Sequence, residues 1–551
     1  MTPRPLFLTA AEAAARVPDG AAIVAPGNNF RLAPETLLAA LERRFLDMGA
    51  PAGLALYYPM MVEAARAARG AAGTGFNRLA HPGMLQRVVG ASFSRTPTHE
   101  LNTAIRENAL EAWNVPMGTL ASLLRAAARS EEGVLTRVGL DTFVDPRLGG
   151  GRLNDRTTAD LAEVVQFRGR EQLFYAAPRI DVALLRGSLA DERGNISFER
   201  EAASLGALHA AMAARNAGGQ VIVEVDELVA AGSLDPKKVV IPGHLVTAVV
   251  KAGLSCLPAD WPDAAAIQRD EGRLSGEQRA PLRQVALEVT PRSIIARRAL
   301  RCVADGAVVN LGAGLPMYDI SDAALWEGAS EDRYRFTIEQ GPFGGWPEVG
   351  GVAANPDASL DLPNVFDYYT GGGIDVSILS FAEVDADGSV NVSRFGDLMP
   401  GCGGFIDITQ NARRLVFCGT FCAGGKVAVA DGKLQVLARG KVGKFVSRLQ
   451  QLSFNARSNC NRAESVTYIT ERAVFVRRAG RLVLTEIAPG IDLDRDVLDE
   501  LPFSVAVDEN LVLMNEALFR APQPNEDPRA RRVVRPAAQP CTARPLKSAI
   551  V

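Results

Sequence analysis

Short runs of apolar and β-branched residues alternate along this chain with longer stretches rich in Ala, Leu and Arg, where apolar positions recur three and four residues apart. The short runs predict strands at residues 21–25, 180–185 and 221–225, and again at 308–311, 376–379 and 415–418. The wider spacing predicts helices over residues 34–45 and 204–216. Strands that are apolar almost throughout must be covered on both faces, and strands followed by helices form crossover units. The pattern therefore predicts an α/β fold with mainly parallel, buried sheets.

The pattern also repeats. Val17, Asp19, Gly20 and Ala21 resemble Val303, Asp305, Gly306 and Ala307 at a shift of 286 positions. Ile180, Asp181 and Val182, followed by Asp191 and Gly194, resemble Ile374, Asp375 and Val376, followed by Asp385 and Gly388, at a shift of 194. Asn216-Ala217 and Asn411-Ala412, each leading into an apolar run, continue the series at 195. Three matches in one order predict two structurally related α/β domains, at 1–287 and 288–521, meeting within the mixed-charge, Pro-containing stretch 258–292. The drop from 286 to 194 gives the first half 92 extra residues, a long insertion at about 60–160. From residue 522 Pro and Arg dominate and periodicity ends, which predicts a disordered tail over 522–551.

Composition narrows the class. A chain of 551 residues exceeds what one hydrophobic core supports, in keeping with two domains. Apolar content of 47% and charged content of 22% are globular values, and a net charge of −3 gives no basis for a nucleic-acid or membrane-surface partner. No run is long and apolar enough for a signal peptide or a membrane span, so a cytoplasmic enzyme is expected. Seven cysteines are too few for a disulfide scaffold; Cys418 and Cys422 lack neighbouring His or Cys at zinc-like spacing and read as reduced thiols, with no metal expected.

The candidate chemistry centres on Glu339, in Thr337-Ile338-Glu339-Gln340-Gly341-Pro342. A carboxylate at a strand end, beside a glycine that lets a substrate approach the backbone, is placed to act as a nucleophile. The second half is dense in glycine loops: Leu311-Gly312-Ala313-Gly314-Leu315-Pro316, Gly371-Gly372-Gly373 and Gly401-Cys402-Gly403-Gly404. The first half has no equivalent Glu-x-Gly, which assigns the chemistry to the second half with the first closing over it. Met317 stands where a dinucleotide fingerprint needs its third glycine, against nucleotide binding of that kind. Asp181 and Asp375 recur at matching places and read as a shared fold requirement.

Glu339-Gln340-Gly341-Pro342-Phe343-Gly344-Gly345, Tyr369 to Asp375, Asn391 to Gly396 and Gly403 to Ala412 resemble the second half of the family I CoA-transferases. Asn77 to His81 and Gly139 to Asn154 resemble the first half, and the similarity runs from about residue 10 to about residue 520. The type it is most similar to is the single-chain acetate or propionate CoA-transferase with fused α and β halves, related to succinyl-CoA:3-ketoacid transferase. This resemblance implies an active site between the halves, coenzyme A as a substrate with no permanently bound cofactor, and a homo-oligomer, dimer or tetramer. It implies that Glu339 is the nucleophile, carrying CoA between two acids in ping-pong fashion as a glutamyl thioester.

By the same resemblance, Gly403 and Gly404 are candidate oxyanion donors. Gly312, Gly314, Gly372 and Gly373 are candidate CoA-binding wall, and Asn391 is a candidate for orienting Glu339 or the thioester. His81 reads as a hydrogen-bonded structural histidine ahead of a catalytic one; Lys441 and Lys444 either meet a CoA phosphate or form an exposed helix face. One departure stands out. Where relatives carry a glycine-rich loop after the first strand, this chain has Ala25-Pro26-Gly27-Asn28-Asn29-Phe30, which places the Asn28 and Asn29 amides at the acyl pocket and predicts a preference for polar short acids. An acyl-CoA hydrolase on the same scaffold and a catalytically silent CoA-binding protein are the alternatives.

Overall fold

A computed structural model describes residues 5–29, 31–62, 74–94, 99–254, 288–330, 333–348 and 351–521. Most of the expected boundary, 258–287, and the tail 522–551 lie outside the described residues. The main path of the first half's ten-stranded sheet runs through eight strands: β1 (Leu6–Leu8), β2 (Ala22–Val24), β3 (Leu54–Tyr58), β4 (Leu85–Gly90), β5 (Glu111–Asn114), β6 (Val182–Asp191), β7 (Gln220–Val229) and β8 (Ala248–Lys251). They lie in the order β1-β8-β7-β6-β2-β3-β4-β5, all neighbours parallel. Buried along its whole length, β6 matches its unbroken apolar reading.

The second half uses β9 (Val308–Leu311), β10 (Arg335–Thr337), β11 (Pro342–Phe343), β12 (Ala358–Ser359), β13 (Val376–Ser380), β14 (Arg414–Cys418), β15 (Ser465–Ile469), β16 (Ala473–Arg478), β17 (Arg481–Ile487) and β18 (Ala506–Leu513). Their order is β12-β11-β10-β9-β13-β14-β15-β16-β17-β18. The segment β10-β9-β13-β14-β15 is parallel and matches β3-β2-β6-β7-β8 of the first half strand for strand, so the repeat in the sequence is a repeat in topology.

The recurring aspartates explain why that repeat leaves a trace in sequence. Asp181 accepts a hydrogen bond from the Ala22 N–H at 2.9 Å and Asp375 one from the Val308 N–H at 3.0 Å, each tying the start of one strand to its neighbour. Asp191 accepts from the N–H groups of Arg193 and Asn195, and Asp385 from those of Asp387 and Ser389, closing the same turn in each half. These are fold requirements, as the sequence indicated.

Helix α1 (Glu35–Met48) begins without a capping side chain of its own. Glu224 on β7 supplies the cap, accepting from the N–H groups of Thr36 and Leu37 at 2.9 and 3.1 Å. Its other oxygen meets Arg186 of β6 at 2.9 Å. Burial pushes the Glu224 carboxyl up to about 7 against the pull of Arg186 and these N–H groups. His81, the suspected structural histidine, meets Glu42 of α1 at 2.9 Å and stacks on Phe45.

The insertion is where the halves meet. It contributes β4, β5 and helix α2 (Met117–Ala128), and α2 packs against α5 (Leu362–Thr370) and α6 (Phe405–Asn411) of the second half. Helices α3 (Ala207–Asn216) and α4 (Pro291–Leu300) cover the sheets, the latter started by a Thr290–Ser293 capping box. No helix among the described residues is long and apolar enough to cross a membrane.

Candidate active site

Glu339 lies two residues past the carboxyl end of β10, half-buried, where parallel sheets of this kind gather ligands. The loop is fixed on both sides. Gly341 adopts a φ of +137°, and a Cβ there would lie 2.7 Å from the Leu360 carbonyl oxygen, so no side chain fits. Below the loop, β10 is anchored by a buried polar network: the Thr337 and Tyr369 hydroxyls lie 3.0 Å apart, Asn310 Nδ2 donates to Tyr369 at 3.2 Å, and the Ser377 hydroxyl donates to Asn310 Oδ1 at 2.8 Å. Burial holds the Tyr369 hydroxyl above its ordinary pKa, and the charge of Glu339 adds to the shift.

The loop 401–404 is clamped by the insertion. The Gly403 N–H donates to the Ala91 carbonyl at 2.7 Å, the Gly403 carbonyl accepts from the Met117 N–H at 2.9 Å, and the Cys402 N–H donates to Asn114 Oδ1 at 2.9 Å. These bonds correct one expectation: the Gly403 N–H is already used and is not an oxyanion donor. Gly404, at the start of α6, keeps its place as a candidate, because its N–H has no acceptor among the described residues.

The residues around Asp407, in the first turn of α6, extend the clamp. Asp407 is fully buried and accepts from the Gly118 N–H at the start of α2 at 3.1 Å. Burial pushes its carboxyl up to about 7, with the charge of Glu339 adding in the same direction. Three residues on, Gln410 accepts from the Gly139 N–H at 2.9 Å and donates to the Leu140 carbonyl at 3.0 Å. A carboxyl this close in influence to Glu339 was missed at the sequence level, although its isolation among Phe405, Ile406 and Ile408 is the signature of a buried charge.

Other candidates separate cleanly. Gly312 and Gly314 follow the carboxyl end of β9, beside β10, on the Glu339 edge of the sheet. Gly372 and Gly373 precede β13 and so lie at the opposite edge, roughly 17 Å away by strand rise alone. They shape the turn after α5 and are corrected from CoA-binding wall to structural turn. Asn391 is also corrected. Its Nδ2 donates to Glu383 at 2.7 Å and to the Arg394 carbonyl, and its Oδ1 accepts from the Ser393 and Arg394 N–H groups, so its amide is spent within its own loop. Lys441 and Lys444 flank a short hairpin strand, Val442–Gly443, rather than a helix; Lys444 is mostly buried over the Phe381 ring, which lowers its pKa.

The first-half loop reaches the same place. Asn29 has a φ of +52°, the left-handed conformation its type tolerates, and its exposed side chain donates to Asn28 Oδ1 at 3.2 Å. Asn28 is buried and lines a cleft with Gln340, the residue after Glu339. Only one of the two asparagines therefore faces the cleft.

The doubled α/β scaffold carries Glu339 at the carboxyl edge of its second sheet, with the first-half residue Asn28 beside Gln340, the arrangement that the resemblance to CoA-transferases leads one to expect. The comparisons agree with that class. Residues 7–252 match the family described as Coenzyme A transferase. Over 526 residues the chain is 37% identical to the caffeate CoA-transferase of Acetobacterium woodii, covering 93% of this chain and 97% of that protein. It is 37% identical to the acetate CoA-transferase YdiF of Escherichia coli O157:H7 over 530 residues, 93% of this chain and 94% of that one. Its fold matches the crystal structure of the acyl-CoA transferase YdiF apoenzyme from Escherichia coli O157:H7 with a TM-score of 0.84, covering 94% of this chain and 96% of that chain. A structure of the same protein described as a thioester complex with CoA matches equally well. This chain belongs to the coenzyme A transferase family and is a CoA-transferase.

Proposed function

We propose that this enzyme moves CoA between a short-chain acyl-CoA and a carboxylic acid by ping-pong chemistry on Glu339. The observation that carries the reading is the position of Glu339, half-exposed on a glycine-locked loop at the carboxyl edge of β10. A solved relative at 37% identity in a CoA thioester form supports a covalent course.

A carboxylate oxygen of Glu339 attacks the thioester carbon; the C–S bond breaks, leaving a mixed anhydride and CoA thiolate. The thiolate attacks the glutamyl carbonyl carbon, the anhydride C–O bond breaks, and the first acid departs as its carboxylate. Glutamyl-CoA then accepts attack by the incoming carboxylate, and the steps run in reverse. The nucleophile is itself a carboxylate, so no general base is needed. Each tetrahedral oxyanion requires a donor, and the Gly404 N–H is assigned that role; such a donor is typically worth about 3 to 4 kcal/mol. Gly312 and Gly314 let the pantetheine arm approach the backbone beside it.

Intact mass after mixing with propionyl-CoA tests the reading. The expected product gains one CoA less one water, localises to Glu339, disappears on adding an acceptor acid, and is absent in Glu339→Ala. No adduct on wild type refutes the nucleophile. Release of free CoA at full rate without an acceptor acid would instead identify a hydrolase.

A further inference from the structure

Gln340 is 9% exposed, and its Oε1 has no hydrogen-bond partner among the described residues. Its Nε2 makes only a long contact, 3.9 Å, to the Met60 sulfur. Gly351, at a φ of +77°, gives the amide room: a Cβ there would lie 2.6 Å from Gln340 Cγ and 2.9 Å from Asn28 Nδ2. Gln340 and Asn28, 312 positions apart, thus share one wall of a narrow cleft with a cavity volume of about 10 Å³. Arg31, Glu201 and Leu205 also line it. Gln340 is bonded directly to Glu339, so the cleft wall and the candidate nucleophile sit on consecutive residues, their Cα atoms about 3.8 Å apart.

We propose that this cleft receives the hydroxyl at the end of a short acyl chain and so selects short acids that carry one, with Gln340 and Asn28 as the specificity-determining residues. The proposal rests on Glu339 as the nucleophile. A buried amide oxygen without a donor carries a desolvation cost of about 1 to 3 kcal/mol that a bound donor relieves. A hydroxyl is suited to this because it both donates and accepts, so it completes the Gln340 amide in either orientation of that group, whereas a methyl completes neither. A second carboxylate is a poorer fit: an ionised group would enter a small, largely buried space beside the carboxylate of Glu201. The cleft is about the size that admits a single water, so it suits one hydroxyl at the end of a short chain and no larger group.

Acceptor specificity tests this. With acetyl-CoA as donor, kcat/KM is measured for propionate, 2-hydroxypropionate, 3-hydroxypropionate and malonate, while intact mass follows the Glu339 adduct. Expected is a preference of about tenfold or more for at least one hydroxy acid over propionate, a ratio that falls to within about threefold in Gln340→Met and shrinks in Asn28→Leu. The wild-type ratio alone decides the matter if either variant misfolds. Propionate equal to or better than both hydroxy acids, or malonate best of the four, overturns the proposal while an adduct still forms. Absence of the adduct overturns the nucleophile and this inference together.

Discussion

Asp407 offers a quantitative test of how the halves are joined. Replacing it by Asn keeps the shape and an oxygen able to accept the Gly118 N–H, now at 3.1 Å, while removing the ionisable group. In the folded chain burial holds the Asp407 carboxyl up to about 7 from a reference of 3.8. Between those values the folded state binds more protons than the unfolded state, so stability falls as pH rises, and the loss is complete above the folded pKa. A shift of about three units corresponds to about 4 kcal/mol. Asn binds no proton in either state, so the stability of Asp407→Asn relative to wild type should rise by as much as about 4 kcal/mol between about pH 4 and about pH 8. The assay is urea unfolding of both proteins across that range, read by hydrogen exchange in peptides spanning α2 and α6, the helices the carboxyl joins. In parallel, the infrared band of a protonated buried carboxyl should fade near neutral pH in wild type and be missing from the variant. A stability difference that stays flat with pH, or that falls as pH rises, refutes the reasoning.

Two further outcomes are expected. Arg186→Met removes the 2.9 Å partner of the fully buried Glu224 and should cost about 3 to 5 kcal/mol in denaturant unfolding at neutral pH, with Glu224→Gln in the same background recovering much of the loss. Gly404→Ala should lower kcat more than Gly403→Ala does: its Cβ would press within 2.8 Å of Phe366 Cζ and displace the proposed donor, whereas a Cβ at Gly403 meets nothing nearer than Met117 Cε at 3.7 Å. Gly403→Ala instead strains a residue at a φ of +50° and should appear mainly as about 1 to 2 kcal/mol of lost stability.

Much of the fold was legible because its signals are local. Strand runs at 308–311 and 376–379 fall within a residue of β9 and β13, since a strand buried on both faces must be apolar at successive positions. The repeat was legible because the same backbone bond demands Asp181 in one half and Asp375 in the other. The error over Gly372 and Gly373 was avoidable: glycines before a parallel strand lie at its amino edge, away from a residue that follows β10, another parallel strand of the same sheet. Asn391 and Gly403 were not readable in this way. Their donors are consumed by Glu383, Arg394 and Ala91, and no local pattern records where a hydrogen bond is spent.

The sequence by itself therefore determined the two-half α/β scaffold, the placement of Glu339 at a strand end and the polar character of the Asn28 loop, because periodicity and turn chemistry act over a few residues. Tertiary structure decided what stands around Glu339. It set Gln340 against Asn28, buried Asp407 within the electrostatic reach of Glu339, and used the insertion to clamp the loop 401–404. Those choices depend on desolvation and on hydrogen-bond valences shared between residues hundreds of positions apart, which only the packed chain brings together.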